Sequence, residues 1–453
     1  MYISTVSAPL WLGITAATLL ALALPTSAKT TESSESPTTS IPASIIATAG
    51  KLKAAEQFTR AKKLLNSNAN KTDLEQGLIW LERAASQSYS PALFELANLY
   101  ENGTYVKQDT AKAVNLYEQA AKQKHLDSQY NLGLLYLRVV KDTDKARYWL
   151  EQAAQQHDAE AQYNLALLYD FSKGKQADPT EATYWYTQAA QNGHKNAQFD
   201  LGVRYLQGTT LPQNLSQAAH WFHKAAEQGD PAAAFNLGLM YEQGKGEAKS
   251  ITEAIRWYRQ AAQQGEAGAQ YNLGVKYLLG EGVTRDHATG IDWIRKAADG
   301  GNPAAQYTVG FMYDQGADLP KDDTLAVHWY RQAAEQGYTD AQLSLAMMLA
   351  NEQSVKADSS EAYQWFQRAA EAGNASAQFN LGTYMAHGIG MAKDLPSAAY
   401  WLSLAANQGH EGAIANRDYV LKMLNDSEHA EVERRLKTAP NGTLAQDKQV
   451  AIQ

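Results

Sequence analysis

The chain of 453 residues contains no cysteine. It therefore cannot use a thiolate as a nucleophile, bind zinc through sulfur or stabilise itself with disulfides. It also has no large excess of one charge, because 40 Lys and Arg residues are set against 48 Asp and Glu residues, a formal net charge of −8. The two signs are interspersed and form no basic patch. We therefore expect no nucleic acid and no anionic membrane surface as a partner.

The motifs around which many catalytic sites are built are missing as well. No G-x-S-x-G elbow, phosphate loop or dinucleotide fingerprint occurs. His410 and Glu411 begin like the zinc motif H-E-x-x-H, but Ile414 stands where the second histidine is required. His220 and His223 share a helical face without a carboxylate at ligand spacing, and we interpret them as part of a solvated face. The sequence predicts no catalytic residue, no metal site and no cofactor.

What the chain does contain is a tryptophan that recurs every 36 residues along most of its length. Alanine always follows it by four residues, and alanine or glycine precedes it by three. Small side chains on either side of a large one along a single helical face indicate close helix packing, so we interpret these tryptophans as core residues. The series, in which one unit is shortened by three residues, consists of Trp80, Leu116, Trp149, Trp185, Trp221, Trp257, Trp293, Trp329, Trp365 and Trp401.

Each tryptophan lies on a predicted helix that has its own start and stop signals. Seven residues before it stands an Asp, Asn or Ser, which can accept hydrogen bonds from the free N–H groups of a first helical turn. Eight residues after it, most units have a glycine suited to a left-handed C-terminal cap. The predicted N-terminal caps are Asp73, Asp109, Asp142, Asp178, Asn214, Ser250, Asp286, Asp322, Asp358 and Asp394, and the predicted stops are Gly193, Gly229, Gly265, Gly301, Gly337, Gly373 and Gly409.

A second predicted helix in each unit reads like AQYNLGVKY, from Ala269 to Tyr277. Its buried face carries alanine, then leucine four residues on, glycine or alanine five on and tyrosine eight on. A glycine inside a helix costs about 1 kcal/mol relative to alanine. Its recurrence predicts that a neighbouring helix approaches closely there, with a tryptophan as the candidate neighbour.

Together with loops such as GEGV (280–283), this pattern resembles the Sel-one-like repeat (SLR) family, the longer-looped relatives of tetratricopeptide repeats. The resemblance implies an all-α fold, a right-handed α/α superhelical solenoid of 36-residue helix-turn-helix repeats. We predict nine SLR-type repeats in residues 91–411, a degenerate N-terminal repeat or cap in residues 46–90 and C-terminal capping helices in residues 412–439. The usual loop glycine is replaced at three positions, which are Val139, Ser172 and Glu352.

The N-terminal residues predict export. Residues 1–28 have no charged side chain, their apolar stretch is short for a membrane span of about 20 residues, and small residues precede Lys29. We interpret residues 1–28 as a secretory signal peptide, with an uncleaved anchor as the alternative. Residues 29–45 are predicted to form a Ser/Thr/Pro-rich disordered spacer and residues 440–453 a disordered tail. The expected location is the periplasm or the exterior, without stable membrane insertion once the signal is cleaved.

Side chains outside the packing pattern predict where a partner binds. A row of aromatic residues runs beside a row of amides along the helices of the AQYNLGVKY type. This arrangement suits an extended peptide, because amides bond both N–H and C=O groups and rings stack on side chains. The alternative is that the amides bridge helices and the rings fill the core between repeats. The predicted binding residues are Tyr130, Asn131, Tyr163, Asn164, Asp200, Arg204, Asn236, Tyr271, Asn272, Lys276 and Asn380.

Two of these residues, Arg204 and Lys276, put charge on a helical face that is otherwise apolar. Such charges need a partner or solvent. With the apolar residue between them they predict a grip on an acidic and hydrophobic peptide, and plain solvent exposure is the alternative.

These patterns predict an exported, non-catalytic scaffold or adaptor of the cell envelope. It would be a monomer that binds other proteins or extended peptides through the concave face of its solenoid. Two alternatives stay open. One is a factor that binds cell-wall polymer or polysaccharide or regulates a cell-wall enzyme, because aromatic rows can stack on sugar rings. The other is an adaptor of the endoplasmic-reticulum lumen, like the eukaryotic founders of the family.

Overall fold

The computed structural model describes residues 52–66, 70–171, 177–351 and 357–439. Within these ranges the chain is helical, with one short π-helical turn and no strand. The predicted signal peptide, spacer and C-terminal tail lie outside the described residues, as do Ser172 and Glu352.

Twenty-two α-helices follow one another in the described residues. They are α1 (Ala54–Leu64), α2 (Lys71–Ser86), α3 (Ser90–Asn102), α4 (Thr110–Ala121), α5 (Leu126–Leu135), α6 (Thr143–Ala154), α7 (Ala159–Phe171), α8 (Pro179–Gln191), α9 (Lys195–Gln207), α10 (Leu215–Glu227), α11 (Pro231–Gln243), α12 (Ile251–Gln263), α13 (Ala267–Leu279), α14 (His287–Asp299), α15 (Pro303–Gln315), α16 (Asp323–Glu335), α17 (Thr339–Ala350), α18 (Ser359–Glu371), α19 (Ala375–His387), α20 (Leu395–Asn407), α21 (Glu411–Leu421) and α22 (Asp426–Thr438).

The chain divides into two compact units between Asn214 and Leu215. In the N-terminal unit each helix from α1 to α8 packs against the next one in sequence. In the C-terminal unit the same holds from α10 to α20, and α22 packs against α20. Each unit is therefore a stack of helix pairs, an α/α solenoid. Within a repeat we call the odd-numbered helices from α3 to α19 first helices, and the even-numbered helices from α4 to α20 second helices.

The core has the predicted composition of small and large side chains. The alanine four residues after the tryptophan position is completely buried throughout the described repeats, as at Ala261 and Ala333. Trp257 is 2% exposed and Trp149 is 7% exposed, whereas Trp221 and three later tryptophans are half-buried. The tryptophans are core residues, as predicted.

The neighbour of the first-helix glycine differs from the prediction. A Cβ atom added at Gly238 would lie 2.4 Å from the ring of Tyr258, the residue that follows Trp257. The tryptophan itself packs edge-on against His223 of the preceding second helix, with ring centroids 5.4 Å apart. Successive residues on a helix are separated by about 100°, so only one of the two neighbours can face the glycine. That neighbour is the residue after the tryptophan.

The helix caps are mostly where the sequence predicts them. Asp109, Asp286 and their counterparts accept the N–H of the residue three positions on. Asp73 was wrongly predicted as a cap, because the side chain of Asn70 accepts the Asp73 N–H at 2.9 Å and starts α2 earlier. The seven predicted glycine stops all have positive φ, between 81° and 94°.

The repeat that is three residues shorter than the others has its deletion in the connection between α5 and α6. A π-helical turn, Tyr136–Val140, prolongs α5, and Lys141 at φ 63° leads directly into the capping residue Asp142. The Asp142 N–H donates to the Tyr136 carbonyl at 3.0 Å, as the Asp286 N–H does to Tyr277 in a loop of full length. The tighter turn keeps the bond that joins the two helices, and so Val139 needs no glycine in its place.

Candidate binding surface on the first helices

The aromatic row predicted for peptide binding lies between repeats. Its described members are all buried or half-buried. Tyr163 stacks on His194 with ring centroids 4.2 Å apart, and Phe379 stacks on His410 at 4.5 Å. His194 is the N-cap residue of α9, and His410 is the N-cap residue of α21. The rings therefore fill the space between one repeat and the next.

The amide row is bonded to the aromatic row. The Tyr130 hydroxyl accepts a hydrogen bond from the Asn164 amide at 3.3 Å, and the Tyr271 hydroxyl bonds Thr308 of the next repeat. The Tyr163 hydroxyl bonds Asp200 in the same way, and burial together with this carboxylate raises the pKa of Tyr163. A tyrosine in one repeat thus bonds the polar side chain of the next.

The other predicted amides are occupied by hydrogen bonds within the protein. Asn131 donates to Asn98 at 3.4 Å, and Asn272 bonds the Tyr258 hydroxyl. Asn236 and Asn380 donate to backbone carbonyls four residues earlier in their own helices, at 2.8 and 2.9 Å. A peptide would have to displace these bonds to use the row.

Each of the two predicted cations forms an ion pair with a carboxylate of the preceding repeat. Arg204 lies 2.5 Å from Asp170 and stacks 4.5 Å above the ring of Tyr186. Lys276 lies 2.5 Å from Glu242 and 2.7 Å from Glu281. Simple solvent exposure of these cations is therefore wrong, whereas their grip on an acidic and hydrophobic peptide stays a prediction. Burial lowers the pKa of Lys276, but its two carboxylate partners outweigh burial and raise the pKa above 10.5, so the ammonium stays charged.

These ion pairs belong to an alternation that the sequence reasoning missed. In every second repeat between residues 90 and 338 the first helix carries a carboxylate near its C-terminus, and the residue after the tryptophan position is a tyrosine. Four repeats have this combination, and in each of them the tyrosine hydroxyl donates a hydrogen bond to the carboxylate. Repeats between them have leucine, isoleucine or phenylalanine at the tyrosine position, which shows in the sequence once the repeats are aligned. The four pairs, which we call the acid row, are Glu101 with Tyr117, Asp170 with Tyr186, Glu242 with Tyr258, and Asp314 with Tyr330.

Members of the acid row differ in whether a cation neutralises them. The residue 34 positions after Asp170 is Arg204, and the residue 34 positions after Glu242 is Lys276. The same position holds Leu135 after Glu101 and Met348 after Asp314. Among the described residues, neither Glu101 nor Asp314 has an ion pair. Each compact unit therefore has one tyrosine–carboxylate pair whose carboxylate is neutralised by a cation and one whose carboxylate is not.

Exposed apolar side chains occur on first helices of the C-terminal unit and on α21, the helix that follows the last repeat. Phe311 on α15 is 46% exposed, Met347 on α17 is 55% exposed, and Tyr419 on α21 is 66% exposed. With Thr383 on α19 they follow one another at intervals of 36 residues, and we call these four residues the exposed row. The equivalent Leu239 on α11 is buried. Thr383 and Tyr419 also line a cleft of about 180 Å³ between α19, α20 and α21.

The described residues contain neither a metal-binding cluster nor a helix suited to span a membrane. Within ranges 52–66, 70–171, 177–351 and 357–439, no group of three or more His, Asp or Glu side chains could hold a metal ion. None of the helices in this part of the chain is long and apolar enough to cross a membrane.

Comparison with known proteins agrees with the repeat structure. The chain is 28% identical to a protective antigen with an SLR fold from uropathogenic Escherichia coli, with 91% of this chain and 97% of that chain covered and a TM-score of 0.58. It is 30% identical to a Sel1 repeat protein from Oxalobacter formigenes, with 81% and 99% covered and a TM-score of 0.50. Among curated proteins, none matches this chain.

The model of the Sel1 repeat matches ten consecutive segments. They are residues 70–89, 90–125, 126–158, 159–194, 195–230, 231–266, 267–302, 303–338, 339–374 and 375–410. Nine of them each contain one first and one second helix, and the matched segments cover more than half of the chain. Proteins built from this repeat are generally scaffolds for protein–protein interaction. The chain belongs to the Sel1 repeat family.

Proposed function

We propose that the protein is an exported scaffold that binds another polypeptide through the exposed row, Phe311, Met347, Thr383 and Tyr419. The observation that carries this proposal is the exposure of three large apolar side chains, Phe311, Met347 and Tyr419, at positions that follow the 36-residue period of the repeats. Apolar side chains that line up on a protein surface are typical of an interaction site. A regular helix stack presents such side chains at fixed intervals, which suits a partner that extends along several repeats.

The aromatic row supports a protein partner over a carbohydrate partner. Sugar rings stack on open aromatic faces, and the rings of this row are packed between repeats. Binding of cell-wall polymer would then depend on Phe311 and Tyr419, with aliphatic Met347 and polar Thr383 between them. Apolar side chains of a partner protein fit this mixed row better than a series of sugar rings does.

Export is part of the same proposal. It rests on the uncharged, apolar residues 1–28 and on the small residues before Lys29. The similar E. coli protein is a protective antigen, and antibodies act on proteins that they can reach. We expect protein isolated from the producing cell to begin at or near Lys29 and to fractionate outside the cytoplasm. Amino-terminal sequencing of a full-length, cytoplasmic product would contradict this.

Site-specific photo-crosslinking tests the binding surface. A photoreactive amino acid placed at Met347 should give a discrete crosslinked product in the producing cell, identified by mass spectrometry. The same amino acid at Gln364, an exposed residue of the second helix α18, is the control. The product at Met347 should disappear when Phe311→Ser and Tyr419→Ser are added. Equal products at both positions, or none at Met347, would contradict the proposed surface.

A further inference from the structure

Two members of the acid row show how a carboxylate and a tyrosine together bind a cation. At Glu242 the carboxylate accepts the Tyr258 hydroxyl at 2.5 Å and receives the Lys276 ammonium at 2.5 Å. At Asp170 it accepts the Tyr186 hydroxyl at 3.3 Å and receives the Arg204 guanidinium at 2.5 Å. In both cases the carboxylate is part of one repeat and the cation comes from the next. The tyrosine holds the carboxylate in place, and either kind of cation is accepted.

Asp314 has the same setting without the cation. Its carboxylate accepts the Tyr330 hydroxyl at 3.3 Å and the Gln315 side-chain amide at 3.1 Å, and both partners are neutral. Met348 takes the place of Lys276, and no cation of the described chain pairs with Asp314. The carboxylate is half-buried, where a charge-assisted hydrogen bond is stronger than it is in bulk water.

Two members of the exposed row lie on the helix of Asp314 and on the following first helix. Phe311 precedes Asp314 by three residues on α15, so the two side chains are neighbours on one helical face. Met347 is next to Met348 on the following first helix and is more than half exposed. Glu101 is the other member of the acid row without a cation. The residue three positions before it, equivalent to Phe311, is the polar Asn98, and the Tyr117 hydroxyl bonds both Asn98 and Glu101. Only the Asp314 site combines an unneutralised carboxylate with the exposed row.

We propose that Asp314 binds a lysine or arginine side chain of the partner polypeptide, whose adjacent apolar residues lie on Phe311 and Met347. This inference rests on the proposed function and states the chemistry of the partner. The bound cation would complete the triad of tyrosine, carboxylate and cation that Lys276 and Arg204 complete internally. A basic residue flanked by apolar ones would be recognised, and an acidic one in its place would be repelled.

Fluorescein-labelled peptides that differ in a single residue test the proposal. The central residue is arginine, lysine, glutamine or glutamate, flanked in each peptide by leucine and phenylalanine. Fluorescence anisotropy with the full chain should show the arginine and lysine peptides binding about tenfold more tightly than the glutamine peptide, with the glutamate peptide weakest. The preference should shrink as salt is added.

Three variants define the site. Asp314→Asn should abolish the preference for the basic peptides while retaining the weaker binding of the glutamine peptide. Met348→Lys supplies an internal cation at the position of Lys276 and should abolish the preference too. Asp292→Asn removes the same charge from an exposed position on the second helix α14 and should leave the preference unchanged. Far-UV circular dichroism and a thermal melt of each variant confirm that it is folded.

Failure of this inference is distinct from failure of the proposed function. If all peptides bind equally and Phe311→Ser weakens them equally, the exposed row binds polypeptide but Asp314 does not select a cation. A preference that survives both Asp314→Asn and Met348→Lys would also overturn the inference, and so would no binding of any peptide. Crosslinking from Met347 in the cell decides the proposed function independently of these outcomes.

Discussion

The side-chain oxygen of Gln342 has no hydrogen-bond partner in the described structure, and the residue 30 positions later, Ala372, has no side chain that could supply one. The Gln342 amide nitrogen is bonded to the Ala334 carbonyl at 3.2 Å, which ties two consecutive helices together. Buried glutamines at the equivalent position of six other repeats make the same bond. In several of these repeats the glutamine oxygen accepts a hydrogen bond from a side chain 30 residues on, or 27 residues on in the shortened repeat. These acceptor–donor pairs include Gln129 with Gln156, Gln162 with Asn192, Gln306 with Gln336, and Gln378 with Gln408.

Ala372→Gln should therefore stabilise the protein. Ala372 has φ −74° and ψ 0°, close to the φ −83° and ψ 1° of Gln336, so the new side chain can take the same path to its acceptor. A net gain of about 1 kcal/mol is expected from one such hydrogen bond. Denaturant unfolding measures the change. Gln336→Ala, which removes the existing bond to Gln306, should destabilise, and an unaltered midpoint for Ala372→Gln would contradict the assignment.

Lys124→Gly should also stabilise. Lys124 has φ 62° at the position where later repeats have a glycine stop, and Ser88 and His157 share this conformation in two other early repeats. A left-handed conformation costs a residue with a Cβ roughly 1–2 kcal/mol. Part of this gain is offset because glycine loses more entropy on folding. The thermal midpoint should rise for Lys124→Gly and fall for Lys122→Gly, because Lys122 is right-handed at φ −63°. Equal shifts in the two variants would argue against a conformational cause.

Gly238→Ala should be strongly destabilising. The added Cβ would lie 2.4 Å from two atoms of the Tyr258 ring, and that ring is completely buried. Overpacking of this kind costs about 1–3 kcal/mol. Gly412→Ala is the matched control in a helix, since its Cβ would meet only ordinary contacts at 3.4 Å and alanine favours helix. If the two variants unfold at the same denaturant concentration, the close approach at Gly238 is misassigned.

His194 should make the protein sensitive to mild acid. Its Nδ1 accepts the Ala197 N–H at 3.1 Å, which requires a neutral ring, and burial lowers its pKa below 6.5 despite Glu160 nearby. The unfolded chain then takes up a proton at higher pH than the folded chain. Stability is therefore present above pH 6.5 and is lost as pH falls from there through the lower pKa of the folded state.

His194→Asn should weaken this acid sensitivity. Asparagine caps the equivalent helices at Asn302 and Asn374, each accepting an N–H at 2.9 Å, and it does not titrate. The free energy of unfolding, measured from about pH 5 to about pH 8, should decline less steeply toward acid in the variant. The same slope in both proteins would show that other groups cause the acid sensitivity.

Much of the fold could be predicted from the sequence because it depends on local signals and on a fixed period. A helix start needs one side chain that reaches its own first turn, as Asp286 does, and a stop needs one residue able to adopt positive φ, as Gly265 does. The interval between tryptophans specifies the repeat length, and small residues at set distances specify the buried face. These features need no knowledge of what packs against them.

The candidate site depended on tertiary structure. The sequence suggests that Lys276 is a free cation, because its partner Glu242 is 34 residues away in the chain. In the folded structure the two side chains are 2.5 Å apart. The aromatic and amide rows likewise look open until each ring meets the next repeat. A half-buried side chain can face a neighbour or solvent, and only the packing of the next helix decides between them. The sequence by itself determined the repeats, their caps and their core, whereas the contacts between repeats decided which side chains, Phe311 and Met347 among them, are left for a partner.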